Sequence, residues 1–180
     1  MISEAIGVIE FLSVARGIEA TDKMLKAAEV KVLKTSTVCP GKYLTIVYGR
    51  TASVKSSMQT AICEGGEFVV DTLELHNVHP QVVPAMAQAS VPENPGALGI
   101  MEFYSVTSGI MAADRAVKAA AVELIEIRLG YAVGGKGIVL LTGDLEAVKT
   151  AVKSGMRDAD MKLETSVIAR PEKSLIEELM

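Results

Sequence analysis

A single cysteine in the segment TVCPGK has the residue type and the setting for metal or redox chemistry. Cys39 is followed by Pro40 and Gly41, a pair that favours a tight, exposed turn over the interior of a strand. A free cysteine is more often a small packing residue than a ligand. The turn nevertheless favours a thiol or metal ligand, so Cys39 is the first candidate site residue and structural packing is the alternative.

The second cysteine and the two histidines are weaker candidates. Cys63 stands in TAICEGGE at the end of a helical stretch, where packing is expected and an accessory redox thiol is the alternative. His76 and His79 lack Cys, Asp or Glu partners at the spacing of a zinc site, so they are expected at the surface or an interface. Neither histidine is expected near a nucleophile, and the sequence therefore indicates no Ser-His-Asp or Cys-His arrangement.

Residues 130–136 have the spacing G-x-x-x-x-G-K of a phosphate-binding loop. Gly137 stands where the serine or threonine that holds magnesium would be. From Ile138 the chain has a strand pattern, whereas a phosphate loop needs a helix N-terminus. Nucleotide binding is not expected.

The candidate residues lie in a sequence unit that occurs twice in the chain. At an offset of 92, fourteen of twenty-six positions are identical between AIGVIEFLSVARGIEATDKMLKAAEV and ALGIMEFYSVTSGIMAADRAVKAAAV, and the match resumes after a two-residue insertion. A unit of this length is a duplicated domain rather than a solenoid repeat. Cys39 has no counterpart in the second copy, which has AVGGK at this place.

The first strand of each copy carries one glutamate, Glu10 and Glu102. Paired carboxylates are one requirement of acid–base catalysis. Because the two glutamates were duplicated together with the fold, a structural hydrogen-bonding role is expected instead.

The hydrophobic pattern of each copy predicts the order βαββαβ followed by a short helix, which is the ferredoxin-like arrangement of the α+β class, with helices on one face of the sheet. The predicted domains are residues 1–90 and 95–180, with a proline-containing linker at 87–96. In the first copy the predicted strands are 4–12, 30–38, 43–48 and 68–75, and the predicted helices are 14–29 and 53–64. In the second copy the corresponding predictions include a strand at 138–141, a helix at 145–155 and a strand at 161–168.

Composition restricts the class of partner. Hydrophobic residues make up 49% of the chain, the mean hydropathy is +0.34 and the net charge is -4. Charged residues interrupt every apolar run before the ~20 residues needed to span a bilayer, and the start MISEAIGVIE has no basic region typical of a secretory signal. We expect a cytosolic protein whose surplus apolar surface meets other subunits, without membrane or nucleic-acid partners.

The duplicated opening segments resemble the signature of bacterial microcompartment shell domains. The two-domain length is similar to that of tandem-domain shell proteins that form trimers, and TSTVCPGK resembles the loop of the T-type branch associated with propanediol utilisation. The resemblance covers nearly the whole chain. It implies a structural protein rather than an enzyme, in which three chains form a flat pseudohexameric tile that joins other shell proteins around encapsulated redox enzymes.

The resemblance further implies that the turn after the second strand of each copy lines a central pore. The pore-lining residues would be Val38, Pro40, Gly41, Lys42, Gly134, Gly135 and Lys136. For the two lysines, a cationic pore rim and a solvated lysine at the start of a strand both remain open.

The branch with a cysteine in this turn is taken to hold an iron–sulfur cluster. Such clusters need about four ligands, so the one thiolate of a single chain is too few. A three-fold axis would bring together three copies of Cys39, enough for one [4Fe-4S] cluster per trimer with one iron open. The implied function is electron transfer across the shell, with transfer of whole clusters as a variant.

Tile edges in the family meet through a lysine on the first helix and an arginine after the last strand. Lys26 and Lys118 match the lysine, and Arg170 matches the arginine in the second copy. The first copy has His79 at that place, so the edges of the tile are expected to differ.

Two rival functions remain open. One is a metabolite-conducting tile in which Cys39 only lines the pore. The other is a small trimeric ferredoxin-like sensor or enzyme with a site between subunits.

Overall fold

The computed structural model describes residues 5–90, 92 and 96–179. The first residue of the predicted strand 4–12 and part of the predicted linker, at 91 and 93–95, lie outside the described residues. The elements are β1 (Ala5–Phe11), α1 (Val14–Ala27), β2 (Lys31–Val38), β3 (Lys42–Gly49), α2 (Thr51–Gly65), β4 (Val69–His76), α3 (Val82–Met86), β5 (Ala97–Phe103), α4 (Val106–Ala119), β6 (Val122–Leu129), β7 (Gly137–Gly143), α5 (Leu145–Gly155), β8 (Lys162–Ile168) and α6 (Lys173–Leu179). A short 3-10 helix, Gly66–Phe68, precedes β4.

Each copy forms a four-stranded antiparallel sheet, in the order β2-β3-β1-β4 and β6-β7-β5-β8. This order and the sequence of elements confirm the predicted α+β, ferredoxin-like arrangement. The first strand of each copy is central, and β2 and β6 lie at sheet edges.

The first helix of each copy begins at a serine that caps it. The Ser13 side chain accepts a hydrogen bond from the Arg16 N–H at 3.3 Å, and the Ser105 side chain accepts one from Ser108 at 2.9 Å. Each bond satisfies one N–H that the first helical turn leaves without a partner.

Contacts divide the chain into two compact units. Unit 1 contains the residues up to Val78 together with Gly130–Gly135, and unit 2 contains His79–Leu129 and the residues from Lys136 onward. The end of the first sequence copy therefore packs with the second unit, and a turn of the second copy packs with the first. The predicted domains 1–90 and 95–180 follow the sequence repeat rather than these contacts, and they stay a prediction.

The core of unit 1 lies between α1, α2 and one face of the sheet. It is built from Ala5, Ile9, Phe11, Ala20, Met24, Val47, Val54, Met58 and Ala61. Gly17 allows α1 to approach β3 closely, because a Cβ at this position would lie only 2.8 Å from the Tyr43 Cβ.

Unit 2 has helices on both faces of its sheet. Gly99 faces α5, where a Cβ would lie 2.9 Å from Val148. Its neighbour Leu98 points to the opposite face and shares a buried cluster with Ile176 of α6. The expectation of helices on one face is therefore wrong for the second unit, because α6 covers the other face.

Among the described residues, no helix combines the length and the apolar character that crossing a membrane requires.

Candidate functional site

Cys39 lies in the short turn that joins β2 to β3. The Gly41 N–H donates to the Val38 carbonyl oxygen at 2.9 Å and closes the turn, in which Gly41 adopts the left-handed φ of +111°. A cis peptide bond joins Cys39 to Pro40. Cys39 is half-buried and is not in a disulfide, while Pro40 and Gly41 are exposed and Val38 is buried. The predicted turn is confirmed, and the role of Cys39 as a ligand stays a prediction.

The turn at residues 130–135 packs against Cys39 within unit 1. The Cys39 N–H donates to the Gly130 carbonyl oxygen at 3.3 Å, and the Gly135 N–H donates to the same oxygen at 3.2 Å. Gly135 has a φ of +77°, and a Cβ there would lie 2.0 Å from the Cys39 carbonyl oxygen. Gly134 also has positive φ, at +67°, but is exposed. Two turns predicted to line one pore thus meet at Cys39.

Lys42 is buried and forms an ion pair with the fully buried Glu10. Lys42 lies diagonally across the β1–β3 pair from Glu10, which stands opposite Leu44, so both side chains share one face. The Lys42 ammonium also lies 3.4 Å from the Gly135 carbonyl oxygen. The sequence left two interpretations of Lys42 open, a cationic pore rim and a solvated lysine, and both required an accessible ammonium. In this chain the ammonium is buried and Glu10 neutralises its charge, so both interpretations are corrected.

The equivalent pair of the second copy is more open. The Lys136 Nζ lies 3.3 Å from the Glu102 Oε2, and both side chains are partly exposed. For the partly exposed Lys136, the charged pore rim therefore stays a prediction. In both copies the glutamate of the first strand is an ion-pair partner, which agrees with the expected structural role of Glu10 and Glu102.

The two edge lysines lie in different surroundings. Lys26 pairs with Asp22 at 2.6 Å on the exposed surface of α1. Lys118 pairs with Asp114 at 2.5 Å, but this carboxylate is buried. Asp114 also accepts a hydrogen bond from the His79 N–H at 2.9 Å, so unit 2 brings two predicted edge residues onto one carboxylate.

Arg170 is exposed in the segment that follows β8, and His79 is half-buried, with its Nδ1 accepting from the Gln81 N–H at 3.4 Å. The expectation that the two edges of the tile differ stays a prediction. The part of Arg170 and His79 in contacts between tiles also stays a prediction.

Cys63 is exposed on α2, whereas packing was expected. The buried residues of this helix follow one stripe that includes Ala61 and Gly65, and Cys63 lies off that stripe. His76, at the end of β4, is exposed, as expected.

Gln81 is a functional candidate that the sequence did not reveal. Its side-chain oxygen accepts from the Leu124 N–H at 2.7 Å, and its side-chain nitrogen donates to the Val122 carbonyl oxygen at 3.2 Å. Gln81 thus occupies the outer edge of β6. Together with Asp114 it fixes residues 79–81, and the signal available in the sequence was the His-Pro-Gln segment after β4.

The described part of a single chain contains no group of three or more His, Cys, Asp or Glu that could hold a metal ion. A thiol in a partly exposed turn is a suitable iron ligand, yet one chain supplies one such sulfur at this turn. The residues therefore fit an iron–sulfur cluster when several copies of the turn contribute.

Comparison with known proteins identifies the class. The family model of the BMC domain matches the chain twice, over residues 5–81 and 97–171. The chain belongs to this family and is a bacterial microcompartment shell protein with two tandem BMC domains.

Individual relatives agree with this assignment. The chain is 39% identical to the bacterial microcompartment shell protein PduT of Citrobacter freundii over 96% of each chain. The crystal structure of a microcompartment protein from Desulfitobacterium hafniense DCB is similar with a TM-score of 0.87 and 43% identity, covering 97% of this chain and 99% of that one. The carboxysome assembly protein CcmO of Synechococcus elongatus is 28% identical over 97% of this chain and 68% of its own length. These relatives are shell or assembly proteins, which confirms the expectation of a structural protein rather than an enzyme.

Proposed function

We propose that this shell protein forms a homotrimeric, pseudohexameric tile whose central pore holds one [4Fe-4S] cluster bound by Cys39 of each chain. The observation that carries the proposal is the half-buried thiol of Cys39 in the turn between β2 and β3, because the equivalent turn of the second domain has no cysteine. Three chains then offer three sulfurs around one axis, and the remaining iron is open to another ligand.

When bound, such a cluster supplies one-electron transfer, so the tile would pass electrons between the lumen and the outside of the shell. Encapsulated redox enzymes could then recycle cofactors without releasing intermediates. The tile would join other shell proteins edge to edge, and its similarity to a bacterial microcompartment shell protein supports a place in such a shell.

The residues of the chain itself hold the turn in place. The Gly41 and Cys39 N–H groups bond to Val38 and Gly130, which fixes the backbone on both sides of the sulfur. The Glu10–Lys42 pair lies at the strand ends beneath the turn. Because this pair is neutral as a whole, it adds no net charge beside the proposed cluster.

The test is iron and sulfide analysis of anaerobically purified protein, with low-temperature electron paramagnetic resonance after reduction. We expect about four irons per trimer and a cubane signal, both lost in Cys39→Ser. Cys63→Ser is the matched control and should keep both, because Cys63 lies on an exposed helix surface. Iron-free wild-type protein that still forms trimers would instead support the metabolite-conducting tile.

A further inference from the structure

The first helix and second strand of the two copies are alike in sequence but differ in exposure. The helices α1 and α4 both contain 14 residues, yet α1 has four buried residues and α4 has ten. Ile18 is 53% exposed and its counterpart Ile110 is 0% exposed. A surface that is covered in one copy is therefore open in the other.

The edge strands show the same difference. Val32 of β2 is 43% exposed, whereas the matching Leu124 of β6 is 2% exposed. On the neighbouring helices, the side chain of Asp22 in α1 is 54% exposed, whereas that of Asp114 in α4 is 3% exposed. Apolar residues at the edge of a sheet that remain open in one chain indicate an interface.

Unit 2 shows what covers this surface in the second copy. Residues 79–81 lie on it, with the His79 N–H bonded to Asp114 and the Gln81 side chain bonded to the β6 backbone at Val122 and Leu124. Further along the chain, the Gln88 side chain donates to the buried Glu126 at 2.8 Å. The segment that follows the last strand of the first copy therefore covers the α4–β6 surface.

The second copy carries the equivalent segment, and its charge suits the open surface. When the two segments are aligned on Pro80 and Pro171, Arg170 takes the place of His79 and Glu172 takes the place of Gln81. Arg170 and Glu172 are both exposed. The strand that would receive them has Lys31 and Lys34 where β6 has Glu123 and Glu126, so an acidic side chain replaces the neutral one where the strand is basic.

We infer that residues 170–172 of one copy dock on the α1–β2 surface of a second copy. The Arg170 N–H donates to the Asp22 carboxylate, as the His79 N–H does to Asp114. The Glu172 carboxylate accepts from the outward N–H of Val32 and faces Lys31 and Lys34. The surface is incomplete without the second copy, and the head-to-tail contact closes into a ring when three copies take part.

This inference rests on the proposed trimer and names the contact that closes it, independently of the pore cluster. The test is native mass spectrometry and light scattering of the full-length chain at several concentrations. Glu172→Lys places a positive charge against Lys31 and Lys34, and we expect association to weaken by about tenfold or more. When Lys31→Glu and Lys34→Glu are added together to the Glu172→Lys chain, association should be restored.

Glu178→Lys is the matched control, because it makes the same charge change at an exposed position of α6 outside the docking segment. It should leave the oligomer unchanged. A carbodiimide cross-link between Glu172 and Lys31 or Lys34, formed between isotopically light and heavy chains, would show directly that two copies are joined.

Two results would overturn the inference in distinguishable ways. If the wild-type chain is trimeric and Glu172→Lys associates equally well, the docking contact is wrong while the proposed tile remains. If the wild-type chain is monomeric at every concentration, the proposed trimer fails together with its contact.

Discussion

His79 donates its backbone N–H to the buried carboxylate of Asp114, 35 residues later in the chain. This single bond connects the segment after β4 to the first helix of the second copy, inside unit 2. The same carboxylate neutralises Lys118. A residue expected to act at the surface of a tile is therefore tied to a polar group in the interior.

The first prediction concerns this carboxylate. Asp114→Ala leaves the His79 N–H without its acceptor, which costs about 1–3 kcal/mol when the group stays buried. Thermal unfolding at fixed protein concentration should show a clear drop in Tm. Asp114→Asn keeps an acceptor for the His79 N–H while it removes the charge that pairs with Lys118, and it should lower Tm less. Equal losses in the two variants would mean that the ion pair, rather than the backbone bond, stabilises the segment.

The second prediction compares the repeat-related ion pairs. Lys42→Met removes the cation beside the buried Glu10 and should destabilise the protein by about 3–5 kcal/mol. Lys136→Met makes the same change at a partly exposed pair, where about 0–1 kcal/mol is expected. Thermal unfolding of the two variants side by side measures the difference. A similar Tm for both would contradict the burial of the Glu10–Lys42 pair.

The third prediction concerns the turn against Cys39. Gly135→Ala requires a left-handed conformation, which costs about 1–2 kcal/mol, and it places a Cβ 2.0 Å from the Cys39 carbonyl oxygen. Gly134→Ala has the same backbone requirement, with no atom within 4 Å of the new Cβ. Gly135→Ala should therefore lower Tm more and should disturb iron binding, while Gly134→Ala should retain it. Iron content and Tm that are unchanged in Gly135→Ala would exclude the contact between the two turns.

The fourth prediction concerns the reactivity of the two thiols. Cys63 is exposed and Cys39 is half-buried, so a maleimide should modify Cys63 first. Intact-mass spectrometry of the Cys39→Ser and Cys63→Ser variants separates the two rates. In iron-loaded protein the Cys39 reaction should slow further and should recover after the iron is chelated. Faster labelling of Cys39 than of Cys63 would contradict this order.

Much of the fold followed from the sequence because it was duplicated. A helix pattern that occurs twice at a fixed offset is a stronger signal than either copy alone, and the predicted helix at 145–155 coincides with α5 (Leu145–Gly155). The turn at Cys39 followed from Pro40 and Gly41, which restrict the backbone locally. The position of α6 could not be predicted, since Ile176 packs against residues that lie far from it in the sequence.

The sequence by itself determined the duplicated domain, the α+β class, the turn that carries Cys39 and the repeat-related lysines. All of these follow from local conformational preferences and from the comparison of one copy with the other. Only the tertiary structure decided that Lys42 is buried, that Cys63 is exposed and that Asp114 is covered while Asp22 is open. The physical reason is that burial and charge pairing depend on groups that folding brings together from distant parts of the chain, which periodicity along the sequence does not record.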